Sequence, residues 1–146
     1  MSRTPRILHA ADFSRASGRA FAKALDLATQ PRARLCLLHV LVPPSPFLGN
    51  KLPPSYLELQ QWARRDAERR LAAVVARARE AGVKVESKLI AGDPSEQIIR
   101  HASRWHADLI VIGTHGRSGL GRAFMGSVAE RVLQRASAPV LTVRGR

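Results

Sequence analysis

Cysteine is nearly absent: Cys36 is the single one among 146 residues. One thiol makes no disulfide within a chain and no cysteine-built metal cluster, so a stapled scaffold and a cysteine-based metal site are both excluded. Aromatic residues are scarce, at 5%, so the arginines have no stacking platform of the kind that single-stranded nucleic acid favours. Acids are few, 11 against 24 basic residues, and only 4 of those 24 are lysine. No apolar run approaches the roughly 20 residues that a spanning helix needs. The most apolar stretches, residues 35–42 and 109–112, stop far short of it. The opening Ser2-Arg3-Thr4-Pro5-Arg6 precedes only five apolar positions, unlike a secretory leader. A cytoplasmic chain with no membrane partner is the expectation.

What is present argues for a folded domain. At 45% hydrophobic the composition lies outside the disordered range, and 146 residues suit one domain, 1–146, with its own core. The net charge is +13 and 20 of the cations are arginine. Arginine's planar fork suits phosphate, so a polyanion is one partner to weigh. Dispersed surface arginines also simply keep a protein soluble.

Apolar spacing places the elements. Residues 7–11 are a short apolar run, and Phe21, Ala24, Leu25 and Ala28 then recur at helical intervals behind an expected Ser14 N-cap. Residues 35–42 are apolar on both sides, the mark of a strand buried on both faces of a parallel sheet. Five of the nine prolines fall within residues 43–54, which predicts an irregular loop. Residues 56–81 form one long helix with Ala67, Leu71, Val74 and Ala78 inward, and Gly82 suits its left-handed end. Residues 83–90 alternate, as a strand nearer a sheet edge does. Asp93-Pro94-Ser95-Glu96 and Ser127-Val128-Ala129-Glu130 each read as a helix-capping box. Residues 109–113 are the most buried-looking strand. Val128, Val132, Leu133 and Ala136 give the last helix its face, and residues 139–143 end the sheet. Trp62 and Trp105 are expected to pack, Asp108 to be structural, and Cys36 to be a buried, inert thiol. His9 and His39 are expected in the core or lining a site. The order βαβαβαβαβ predicts an α/β domain with a parallel sheet.

Ligands of such sheets sit beyond the carboxyl ends of the strands. There the sequence runs Gly113-Thr114-His115-Gly116, nine residues, then Gly126-Ser127. Glycines allow close backbone approach to an anion, and a helix start supplies free amides to phosphate. His115, Arg117 and Arg122 add donors. A Walker loop, a dinucleotide fingerprint, a nucleophile elbow and a zinc helix motif are all absent. No residue is nominated as catalytic or metal-ligating.

The stretch from 113 to 144 resembles the signature of the universal stress protein family, in particular its ATP-binding branch, G-x2-G-x9-G-[ST]. The flanks are similar too: Asp12-Phe13-Ser14, Leu38-His39-Val40, Gly92-Asp93-Pro94 and Ala138-Pro139-Val140-Leu141. The resemblance implies a Rossmann-like sheet of five parallel strands in order 3-2-1-4-5, two helices on each face, and a homodimer through the last strand. It implies ATP with Mg²⁺ or Mn²⁺ at the strand ends. Asp12 and Val40 would meet adenine, Ala10 and Gly113 would lie by the ribose, and Gly116, Gly126, Ser127 and Val128 would hold the phosphates beside His115 and Arg117. A nucleotide-loaded regulator or chaperone-like factor is the leading expectation. A slow ATPase and a polyanion-binding interaction protein, nucleic acid included, are the alternatives.

Overall fold

A computed structural model describes residues 3–43, 55–114 and 126–145. Five strands and four helices alternate: β1 (Arg6–Ala10), α1 (Arg15–Ala28), β2 (Arg34–Leu41), α2 (Tyr56–Glu80), β3 (Lys84–Ala91), α3 (Pro94–Arg104), β4 (Leu109–Thr114), α4 (Ser127–Arg135) and β5 (Val140–Arg144). The strands form a single sheet in the order β3-β2-β1-β4-β5, and every pairing is parallel. This is the topology expected from the alternation and the family resemblance. Among the described residues no helix is long and apolar enough to cross a membrane.

Each face of the sheet has its own core. Ile7, Leu35, Leu37 and Val111 meet Phe21 and the alanines of α1 together with Leu71, Val75 and Ala78 of α2. Leu8, Leu38, Ile110 and Ile112 meet Ile98 and Ala102 of α3 with Ala129 and Val132 of α4. Two helices therefore cover each face. The central strands have both faces covered by helices, which is why residues 35–41 and 109–112 read as unbroken apolar runs, whereas Val42 lies past the end of β2 and is 59% exposed. At the edge β3 is mostly exposed, and its alternation showed that beforehand.

The inward stripe of α1 is Ala16, Ala20, Ala24 and Ala28, with Phe21 as its one large member. Small residues let the helix axis come close to the strands. The consequence appears at Gly113, where an added Cβ would lie 2.6 Å from the Ala16 carbonyl carbon and 2.8 Å from the Ser17 nitrogen. No side chain fits there without moving α1.

The helix ends follow the local chemistry. Ser14 Oγ accepts from the Ser17 amide at 3.1 Å, and Asp93 Oδ2 accepts from the Glu96 amide at 3.1 Å with Pro94 in the first turn. Gly82 closes α2 at φ 78°. Asp108 is structural as expected: it accepts from the Arg6 amide at 2.8 Å and pairs with Arg3. Those bonds hold its carboxyl below the usual carboxylate range.

Three expectations give way. Ser127 does not cap α4: Gly126 occupies the cap position and Ser127 is the first helical residue, because the chain is still extended at Gly126. Trp62 does not pack. It is 59% exposed, since the buried residues of α2 begin only at Ala67 and the first turns run past the core. Leu133 is 47% exposed: among the described residues α4 packs mainly on α3, β4 and the edge strand β5. The inward stripe of α2 also runs through Val75, with Val74 only partly buried against the same core.

Candidate functional site

Strand β1 pairs with β2 on one side and β4 on the other, so the chain leaves β1 in one direction and returns to its far side through α3. The carboxyl ends of β1 and β4 diverge at that reversal, and a cleft opens between them. Its volume is about 340 Å³, within the range of small-molecule sites. Ala10, Val40 and Ile112 contribute its strand ends, and Ile98 and Ala129 face it from α3 and α4. Asp12, Gly113, Gly126, Ser127 and Val128 complete the rim. Seven residues nominated from the sequence thus meet in one cavity: Ala10, Asp12, Val40, Gly113, Gly126, Ser127 and Val128. His115, Gly116 and Arg117 lie outside the described residues.

The two ends of the cleft differ in charge. At one end Asp12 Oδ1 accepts from the Ser14 amide at 2.8 Å, while Oδ2 has no partner among the described residues. Its backbone amide donates to Ser17 Oγ at 3.0 Å. The carboxylate is therefore braced by one oxygen and open by the other. It does not cap α1, which Ser14 does.

At the other end α4 starts without a side-chain cap. The first backbone bond into the helix runs from the Glu130 amide to the Gly126 carbonyl. The amides of Ser127, Val128 and Ala129 have no acceptor among the described residues, so this turn presents donors and the positive end of a helix dipole. Gly126 has φ −58° and ψ 150°, angles that any residue adopts. Its backbone geometry does not call for glycine, whereas Gly113 is glycine for packing against α1.

His39, expected in the core or lining a site, lies on the rim, and Phe13, which was not nominated, packs behind it. His39 lines the cleft; its Nδ1 donates to the Ala11 carbonyl at 2.6 Å and its ring lies 4.5 Å from that of Phe13. The Leu38-His39-Val40 motif marked the strand end, but a tertiary hydrogen bond leaves no trace in sequence spacing. Cys36 is buried away from this chemistry. Burial pushes its thiol up to about 12, with Sγ 3.6 Å from His101 Nε2, as suits an inert thiol.

Fold and cleft define an open parallel α/β domain with a cavity at the switch point of strand order. The chain belongs to the universal stress protein family, whose sequence profile matches residues 4–144. It is 35% identical over 139 residues to universal stress protein MJ0531 of Methanocaldococcus jannaschii, spanning 95% of this chain and 81% of that one. The universal stress protein UspA from Lactobacillus plantarum superposes with a TM-score of 0.84 at 25% identity, covering 99% of this chain and 100% of that one. A universal stress protein solved in complex with cAMP superposes with a TM-score of 0.68 at 25% identity, covering 99% and 100% of the two chains.

Proposed function

We propose that this chain binds an adenine nucleotide, ATP with Mg²⁺ or Mn²⁺, in the cleft between Asp12 and Ser127. It would act in the cytoplasm as a nucleotide-loaded regulator or chaperone-like factor of a stress response. The observation that carries this is the polarity of the cleft: an open carboxylate oxygen at one end, uncapped amides at the other, and an apolar floor between. Asp12 is suited to accept from the exocyclic amine of adenine, and Val40 to pack on the ring face. Ala10 and Gly113 border the ribose in this reading. The free amides at Gly126, Ser127 and Val128 suit phosphate oxygens, with His115, Gly116 and Arg117 joining them. The relative in complex with cAMP supports an adenine nucleotide as ligand class.

Among the described residues no three His, Cys, Asp or Glu side chains stand together as metal ligands, so the divalent cation is assigned to the phosphates. A homodimer through β5 accompanies the proposal, because that edge strand is half-buried along Val140 to Val143 and apolar edges are normally covered.

Calorimetric titration of the nucleotide-free protein with ATP and Mg²⁺ tests the reading. One nucleotide per chain is expected, with binding abolished in Gly126→Val while far-UV circular dichroism stays unchanged. No heat in the parent protein, or equal affinity in Gly126→Val, overturns it.

A further inference from the structure

The turn that carries Asp12 is strained and clamped. Phe13 sits at φ 65°, a left-handed conformation that is strained for an L-residue and persists only where the surroundings over-determine it. The clamps come from β2 and α2. The Ala11 amide donates to the Leu38 carbonyl at 2.8 Å, and the Ala11 carbonyl accepts from His39 Nδ1 at 2.6 Å. The His39 ring then packs on Phe13, 4.5 Å between centroids and tilted by 35°. On α2, the Arg70 guanidinium lies 5.9 Å from the Phe13 ring centroid and is itself held by Asp66 at 3.1 Å.

One side chain thus fixes residue 11 by a hydrogen bond and residue 13 by its ring. Residue 12, between them, lines the cleft, and its Oδ2 has no partner among the described residues. Strain held this tightly beside a cleft suits a preorganised contact, because a turn free to relax would swing the carboxylate off the base.

We infer that His39 is a positioning residue for base choice. It holds the 11–13 turn in the form that aims Asp12 Oδ2 into the cleft, and so favours a base with an exocyclic amine, as in adenine, over one with a carbonyl there, as in guanine. The inference rests on the nucleotide reading above. It also fixes the tautomer of the neutral ring: the acceptor at Ala11 demands the proton on Nδ1. Arg70 supports the same turn from the far side of Phe13.

The test is calorimetric titration of the full chain with ATP, GTP and inorganic triphosphate. In the parent protein ATP binds more tightly than GTP. In His39→Ala the ATP affinity falls about tenfold, the scale of losing one well-placed polar contact to the base, while GTP and triphosphate are unaffected. His39→Asn restores the preference, because its amide donor stands where Nδ1 stood. An unchanged ATP-to-GTP ratio in His39→Ala overturns the inference and leaves the nucleotide reading standing, as does an equal loss for all three probes. A parent protein that binds none of them overturns both.

Phe13→Gly covers the case in which His39→Ala fails to fold. Glycine adopts φ 65° freely, and removing the ring is expected to give the same selective loss. The nitrogen-15 shifts of His39 give an independent readout: a neutral ring protonated on Nε2 overturns the inference.

Discussion

Acid should weaken this fold through one buried side chain, His9. Its ring is fully buried in β1, 6.0 Å from the Phe21 ring. Nδ1 donates to the Val111 carbonyl at 3.0 Å, and Nε2 has no partner among the described residues. A second proton would put a charge on Nε2 with nothing to receive it. Burial accordingly pushes the pKa down from 6.5 to about 4, against the smaller opposing effects of the Val111 bond and the Asp12 charge. The native ring stays neutral while the unfolded chain takes up a proton near 6.5. Between those values the unfolded state binds more protons, so stability falls as pH falls, and the loss is complete below about 4. At about 1.4 kcal/mol per pH unit that separation is worth about 3 kcal/mol, a large part of a typical domain's 5–15.

Urea unfolding from pH 7 to pH 4 reads this directly. His9→Asn keeps an amide donor for Val111 and does not titrate. The stability difference between His9→Asn and the parent should move by about 3 kcal/mol in favour of the variant as pH drops from 6.5 to 4. The partly exposed His101, also held below its usual value by burial, acts equally in both proteins and cancels. Parallel pH profiles would refute the reasoning.

Other predictions follow from packing and solvation. Gly113→Ala should lower stability by about 1–3 kcal/mol, since its Cβ would press on α1 backbone at 2.6 Å; an unchanged melting temperature would contradict this. Cys36, with its thiol pushed up to about 12, should react with a disulfide reagent only at the rate of opening, so its labelling should accelerate in urea in step with unfolding. Ser14→Ala should cost about 1 kcal/mol by releasing the Ser17 amide, visible as a shifted urea midpoint. A direct polyanion role would show as DNA affinity falling steeply with salt, while the nucleotide account expects no measurable DNA binding at physiological salt.

Much of the fold was written locally. Residues 35–41 and 109–112 are apolar on both faces because two layers of helices cover them, and residues 83–90 alternate because β3 is an edge. The Ser14 and Asp93 caps and the left-handed Gly82 likewise depend on neighbours a few residues away. What escaped depends on distant parts of the chain. Nothing near Trp62 says that the core ends before it, and nothing near Leu133 says that α4 lies at a margin. The site shows the same division. Asp12, Val40 and the Gly126-Ser127-Val128 helix start were legible from the strand ends and the glycine spacing. Ser127 as a cap was one residue out, because Gly126 has no side chain to betray its position. The reason for Gly113 lies in the close approach of α1, and the bond from His39 to Ala11 joins residues 28 positions apart.

The central claim is a nucleotide site between Asp12 and the start of α4. Its most direct test follows the backbone amides by NMR while ATP and Mg²⁺ are titrated into the nucleotide-free protein. The account predicts saturable shifts at Asp12, Val40, Gly126, Ser127 and Val128, with the N-terminal strand ends unmoved. No saturable shift at millimolar ATP, or shifts confined to the outer faces of the helices, would contradict it.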